Sequence, residues 1–175
     1  MLPPSILRYL LLAVLLLGAR AACADVVTEV HTLMAKGDLA GALRGAEAAV
    51  AANPRDAQSR FLRALVLMDL KRDAQALAAF MQISQEYPEL PEPFNNIALL
   101  HARAGQLELA RQALEAALRN DPGHRTARLN LGEVHLLLAV QAWEQAASGA
   151  ALDARLLRRL EAARALVAAT APASR

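Results

Sequence analysis

Residues 94–122, FNNIALLHARAGQLELARQALEAALRNDP, decide the fold of this chain. Two apolar runs at helical spacing flank a break at Gly105-Gln106, and Pro122 closes the stretch, so the segment predicts two antiparallel helices joined by a tight turn. More than a third of the chain is Ala or Leu, whereas aromatic residues make up only 3%. This composition favours helices throughout and leaves little with which to build a sheet. A hydrophobic content of 55% is too high for a disordered chain.

This segment is one copy of a repeat with a period of 34 residues. Prolines recur at that spacing, at Pro54, Pro88 and Pro122. Other sets of residues 34 positions apart, here called columns, have the same period. They are Ala42, Ala76 and Ala110; Ala64, Ala98 and Gly132; and Leu33, Leu67, His101 and His135. Because unrelated columns share one period, the sequence predicts a repeat architecture in which neighbouring units bury a continuous core.

The columns resemble those of the tetratricopeptide repeat family, and the chain is similar to short exported repeat proteins of Gram-negative bacteria. The third repeat is the clearest copy, with Phe94, Ile97, Ala98, Gly105, Ala110, Leu114, Ala117 and Pro122 at the signature places. The resemblance implies an all-α solenoid of helical hairpins with a C-terminal capping helix. It also implies a concave, ligand-binding face lined by the first helix of each hairpin.

The predicted domain boundaries follow the period. A signal peptide at 1–24 precedes repeats at about 25–54, 55–88 and 89–122, a degenerate repeat at 123–147, a capping helix at 148–170 and a tail at 171–175. The fourth repeat has Ala139 in place of the glycine turn, so either a hairpin or one long helix fits it. The capping helix is predicted from one apolar face: Leu152, Leu156, Leu160, Ala163 and Val167. Its arginine-rich face leaves membrane contact as a less favoured alternative.

Residues 1–24 have the pattern of a secretory signal peptide. Arg8 precedes an uncharged run from Tyr9 to Ala19, and Ala22 and Ala24 place small side chains before a cleavage site at Asp25. Cys23 supports a less favoured alternative, cleavage and acylation as in bacterial lipoproteins. Removal of the segment leaves 17 basic and 17 acidic residues, which argues against a general attraction to nucleic acid. The predicted location is the bacterial periplasm.

The sequence contains no pattern typical of a reaction centre. It has no glycine-rich phosphate loop, no Gly-x-Ser-x-Gly segment and no Cys-x-x-Cys pair. His101 and His135 stand one repeat apart, but no third ligand is spaced to join them, so we interpret them as packed, hydrogen-bonded residues rather than a metal site. We therefore predict no enzymatic activity, no metal and no cofactor.

The expected functional surface is a groove on the first helices that binds a peptide segment. Apolar anchors and amides are expected to line it together with one arginine, in the set Phe61, Leu65, Met68, Asn96, Leu99, Arg103 and Asn130. An alternative of similar weight is that the apolar members complete the core or pack on the capping helix. Some tetratricopeptide proteins hold a free carboxylate with basic residues on successive first helices. The corresponding positions here include Val27, His31, Asn96 and Asn130 and cannot form such a clamp.

The predicted function is a non-enzymatic adaptor or scaffold of the periplasm, which binds a peptide segment of another envelope protein. The alternative is a structural component of an outer-membrane assembly that self-associates or carries a lipid anchor. Further reading of the sequence does not separate these two functions or identify the partner.

The mature protein is expected to begin at Asp25, because small residues at Ala22 and Ala24 fit the signal peptidase pocket. Intact-mass measurement and amino-terminal sequencing of protein from the envelope fraction test this. An Ala24→Arg variant should accumulate as the uncleaved precursor. An acylated Cys23 or a retained Met1 would contradict the prediction.

Overall fold

The computed structural model describes residues 26–149 and 153–170, and the predicted signal peptide lies outside them. Those residues form eight helices and no strand. Helix α1 comprises residues 26–35, and the others are α2 Leu39–Ala52, α3 Ala57–Asp69, α4 Asp73–Glu86, α5 Pro91–Arg103, α6 Leu107–Asn120, α7 Arg125–Gly149 and α8 Ala154–Thr170. Among the described helices, none is long and apolar enough to span a membrane. The chain divides within α4 into two compact units, one ending at Ile83 and the other starting at Ser84.

A residue in the left-handed conformation ends the first helix of each of three hairpins. The residues are Gly37, Lys71 and Gly105, with φ of +79°, +59° and +72°, and they are spaced by 34. In each turn two backbone bonds satisfy the last carbonyls of the helix; for example, Arg72 N–H donates to Leu67 O at 2.9 Å and Lys71 N–H to Met68 O at 3.1 Å. Lys71 is the one non-glycine residue of the described chain with a positive φ, a conformation that costs about 1–2 kcal/mol in an L-residue.

Proline turns connect one hairpin to the next. In all three, the N–H two residues after the proline donates to the carbonyl of the residue before it, as from Asp56 to Asn53 at 3.1 Å. At the first and third turns, the residue that closes the turn also caps the following helix with its side chain, whereas Leu90 at the second makes no such bond. The Asp56 carboxylate accepts from Ser59 N–H at 2.8 Å, and the ring of His124 accepts from Ala127 N–H at 3.1 Å through Nδ1. His124 is therefore the N-cap of α7.

Small residues on facing helices form the core of the first unit. Ala42 and Ala76 on second helices and Ala64 on a first helix are each 0% exposed. Val30 of α1 is equally buried, and a Cβ placed on Gly45 of α2 would lie 3.1 Å from its Cγ2 atom. The helices thus approach closely wherever one partner is small, and Phe80 and Ile83 fill the space beside these contacts.

The second unit repeats this arrangement. Its core cluster contains Ala98 of α5, Ala110, Leu114 and Ala117 of α6, and Ala127 and Val134 of α7, all at most 4% exposed. Phe94, Ala102, Ala113, Leu118, Leu131 and Leu138 pack around it. The columns of small residues recognised in the sequence therefore lie at helix–helix contacts.

The fourth repeat is one continuous helix of 25 residues. Ala139 occupies the position of the left-handed turn residue but lies within α7, since alanine favours the right-handed helix and resists a positive φ. Helix α8 then packs on α7. Leu160 and Ala163 are buried, and Arg164 donates two hydrogen bonds to Glu144, at 2.6 and 2.9 Å. The predicted capping helix begins at Ala154 instead of residue 148, because α7 extends to Gly149.

Gly132 differs from the other residues of its column. Val30, Ala64 and Ala98 are buried, whereas Gly132 is exposed, and a Cβ placed on it would have no described atom within 4 Å. Gly132 therefore brings no two described helices into close contact. The reason is that α7 continues past Ala139, so no described helix returns to pack on Gly132.

Gly132→Ala is expected to raise the free energy of unfolding by about 0.5–1 kcal/mol, because alanine lowers the entropic cost of ordering an exposed helical position. Gly45→Ala is the matched comparison, in which the new methyl group would press on Val30 Cγ2. It should gain less than Gly132→Ala or lose stability. Urea denaturation at equal protein concentration measures both. A larger gain at Gly45 than at Gly132 would contradict the packing described here.

Candidate peptide-binding surface

Three residues of the predicted groove lie in the first unit, on α3. Phe61 and Leu65 are half-buried and one turn apart, whereas Met68 is only 8% exposed. The ring of Phe61 meets that of the buried Phe80 edge to face, with centroids 5.4 Å apart. Phe61 thus has a structural contact on one side, Leu65 offers partial surface, and Met68 belongs mainly to the core. The expected exposure of Met68 is wrong, while a binding role for the set stays a prediction.

Four residues of the predicted groove lie in the second unit. Leu99 is half-buried and Arg103 is exposed on α5. Asn96 is 8% exposed, and its side-chain amide donates to Glu92 O at 2.9 Å. Asn130 of α7 is half-buried. The structure therefore buries Asn96 where the sequence predicted exposure, because its amide turns back onto the backbone of its own helix.

Asn130 forms a polar contact that sequence reasoning missed. Its side-chain amide donates to Oδ1 of Asn95 at 2.8 Å, joining α7 to α5. Asn95 is buried, with 7% of its surface exposed. The two residues are 35 positions apart, one more than the repeat period, so they never share a column. Two amides at that spacing on successive first helices are the signal that could have identified the pair.

The charged groups on α6 pair with one another. Arg111 donates through Nε to Glu108 at 2.8 Å and also contacts Glu115. The hydrogen bonds to Glu108 and then to Glu115 raise the pKa of Arg111 above its ordinary value, so this guanidinium stays charged. These three residues form a surface ion-pair network on one helix and create no reactive group.

The two histidines that stand one repeat apart differ in their exposure. His101 is half-buried, with Nδ1 2.7 Å from Oε1 of Gln106, and His135 is exposed. Across the described part of the chain, His, Cys, Asp and Glu side chains form no group of three that could hold a metal ion.

An open depression of about 520 Å³ lies between the start of α6 and the second half of α7. Apolar and amide side chains line it with one carboxylate: Glu108, Leu138, Ala139, Gln141, Ala142 and Gln145. Since Glu108 is paired with Arg111, the depression presents mainly neutral surface. Sequence reasoning did not anticipate it, because it exists only where α7 continues past Ala139.

Helical hairpins with a left-handed turn residue and buried small residues recurring every 34 residues define a helical-repeat protein. Two family models, both described as tetratricopeptide repeat, match residues 27–91 and 91–134. The chain belongs to the tetratricopeptide repeat family, and the predicted all-α tetratricopeptide-repeat fold is confirmed. Tetratricopeptide repeats are non-enzymatic interaction modules, in agreement with the prediction that the chain is not an enzyme.

Among curated proteins, the TPR repeat-containing protein YvcD of Bacillus subtilis is 36% identical over 69 residues. The alignment covers 39% of this chain and 14% of YvcD, so the relationship concerns the repeats alone.

Solved structures share the fold at low sequence identity. The first TPR of Spaghetti (RPAP3), solved with an HSP90 peptide SRMEEVD, has a TM-score of 0.60 at 17% identity and covers 67% of this chain and 93% of that one. The Yersinia enterocolitica type III secretion translocator chaperone SycD has a TM-score of 0.61 at 11% identity and covers 66% of this chain and 93% of that one.

Asn130→Ala is expected to lower the free energy of unfolding by about 1–3 kcal/mol, because it leaves the buried amide oxygen of Asn95 without its donor. Replacing both asparagines with alanine should cost less than the sum of the two single changes, since the unpaired group is then absent. Urea denaturation of the four proteins of the cycle measures the coupling. Strictly additive losses would show that the contact contributes nothing.

Proposed function

We propose that this protein is an adaptor that binds a peptide segment of another protein through apolar side chains on its first helices. The observation that carries the proposal is the partial exposure of Leu65 and Leu99, which occupy the same repeat position on α3 and α5. An apolar side chain that recurs there without being fully buried is suited to contact with a ligand. Phe61 adds a half-buried aromatic surface one turn before Leu65.

The chemistry of these helices favours a segment with one or two apolar anchors over an acidic chain terminus. Val27 and Asn130 are half-buried and neutral, and Asn96 is buried, so the positions of a carboxylate clamp carry no cluster of basic side chains. The Spaghetti repeat solved with an HSP90 peptide supports peptide recognition as a use of this fold. It does not identify the ligand of this chain.

The proposed site of action is the periplasm, and the proposed partner is another envelope protein. The support is the pattern of residues 1–24, in which an uncharged run is followed by small residues before Asp25. Without residues 1–24, Cys23 is absent and the mature chain has no cysteine, so its fold does not depend on disulfide bonds in an oxidising compartment.

The test is to replace Leu65 and Leu99 with glutamate, singly and together, and to compare the proteins that co-purify from a gentle envelope extract. Each change places a charge where an apolar contact is expected, so the partner should be lost while helicity by circular dichroism is retained. Leu109→Glu is the matched control, because Leu109 is 45% exposed on α6, a second helix. It should retain the partner.

Loss of the partner with all variants, including Leu109→Glu, would refute a specific role for the first helices. Retention of the partner by the double variant would also refute it. Loss of helicity in Leu65→Glu and Leu99→Glu would show that these residues belong to the core, the alternative open from the sequence.

A further inference from the structure

Within residues 26–149 and 153–170, no helix covers one apolar face of α7. Leu129, Gly132 and Leu136 are three and four residues apart, so they lie on one face of α7, here called the open α7 face. Leu129 is 59% exposed, Gly132 is exposed and Leu136 is half-buried. Leu129 occupies the repeat position of Phe61, whereas Leu65 and Leu99, which carry the proposed function, occupy a different repeat position.

In the hairpins α3–α4 and α5–α6, part of the same three repeat positions packs against the second helix, while Asn95 bonds to Asn130 of α7. On α3 they are Phe61, Ala64 and Met68, where Ala64 is 0% exposed and Phe61 meets Phe80 of α4. On α5 they are Asn95, Ala98 and Ala102, and Ala98 and Ala102 pack in one cluster with residues of α6. Comparison of the repeats therefore indicates that a helix similar to α4 or α6 would fit the open α7 face.

Those covering helices present one pattern. The pattern starts with an alanine. A small residue stands three positions after it, and apolar residues stand four and seven positions after it. In α4 these residues are Ala76, Ala79, Phe80 and Ile83, and in α6 they are Ala110, Ala113, Leu114 and Ala117. The alanine and the residues four and seven later are at most 1% exposed in both helices.

The next copy of that pattern along the chain is lost. One period after Ala110 stands Glu144, and one period after Leu114 stands Ser148. Glu144 accepts two hydrogen bonds from Arg164 of α8. The second half of α7 is therefore unsuited to fold back and cover the first half.

The pattern reappears on α8, where it faces outward. Ala162, Ala165, Leu166 and Ala169 have the same residue types and spacing as the four residues of α6. All four are exposed, with Leu166 at 58%, because α8 uses Leu160 and Ala163 against α7. These four residues are here called the outer α8 face.

The outer α8 face cannot cover the open α7 face of its own chain in the observed structure. Ala98 lies seven residues before the turn residue Gly105, and Ala110 lies five residues after it. For Ala162 to pack on Gly132 in the same way, the chain would have to reverse direction near residues 147–149. Those residues are still helical, because α7 extends to Gly149. The described helices of one chain do not supply this contact, whereas a second copy of the chain presents the matching residues on its outer α8 face.

We propose that the protein forms a reciprocal dimer, in which the outer α8 face of each chain covers the open α7 face of a second copy. The helices α2, α4 and α6 of the second copy do not compete, because their equivalent faces are buried within their own hairpins. A two-fold axis repeats the same contact twice, which closes the assembly at two chains.

The test measures mass by light scattering and sedimentation across a dilution series of the protein exported with its own leader. Wild type is expected to be a dimer that dissociates on dilution. Leu166→Glu places a charge on the outer α8 face, and Gly132→Leu fills the open α7 face with a large side chain. Each change should weaken dimerisation by about tenfold or more. Leu157→Glu is the matched control, since Leu157 is 44% exposed on α8 outside the outer α8 face. It should dimerise like wild type.

Mixing the two defective variants distinguishes this arrangement from other dimers. Leu166→Glu keeps an intact open α7 face, and Gly132→Leu keeps an intact outer α8 face. The mixture should therefore form a heterodimer, although each variant alone dimerises weakly. A monomeric wild type at all concentrations would overturn the proposal. So would equal effects of Leu166→Glu and Leu157→Glu, or failure of the mixture to associate.

Other occupants of the open α7 face give different results. A wild type that is monomeric, and dimerises only after removal of residues 171–175, would mean that the chain's own tail covers the face. A monomer that binds a synthetic α6 peptide, LELARQALEAALRN, would mean that the face accepts a helix of a different protein. Either result overturns the dimer as the state of the full chain, and neither bears on the variants at Leu65 and Leu99.

Discussion

Each helical hairpin depends on one residue whose backbone enters the left-handed region. At Gly37, Lys71 and Gly105 this residue ends the first helix and satisfies its last carbonyl groups, so the second helix can return along the first. Alanine at position 139 removes the reversal, and the helix continues instead. The exposed glycine, the open depression beside α6 and the hairpin of α7 with α8 all exist because that turn is absent.

The returning helix decides which side chains are buried. Where it is present, a small residue on one helix permits close approach, as at Gly45 against Val30 or among Ala98, Ala110 and Leu114. Where it is absent, residues of the same repeat positions become surface. One repeat position thus has a different role in its last copy: Ala64 and Ala98 are buried, whereas Gly132 is exposed.

The sequence predicted the period, the helical hairpins and the turn positions, because these depend on local residue preferences and regular spacing. It left open whether the fourth repeat is a hairpin or one helix, since Ala139 fits a continuous helix without excluding a turn elsewhere. It also misplaced Met68 and Asn96, whose burial depends on tertiary packing and on the contact of the Asn96 amide with Glu92 O. The contact of Asn95 with Asn130 was missed because column comparison examines only multiples of 34.

The attachment of α8 has a consequence for the order in which the fold opens. Two buried residues, Leu160 and Ala163, and one exposed ion pair hold it to α7, whereas α6 has three residues in the core between α5 and α7. In a linear array, a terminal element also has a neighbour on one side only. Backbone amides of α8 will therefore exchange hydrogen with solvent through local fraying, while those of α5 and α6 exchange only when the larger cooperative unit unfolds.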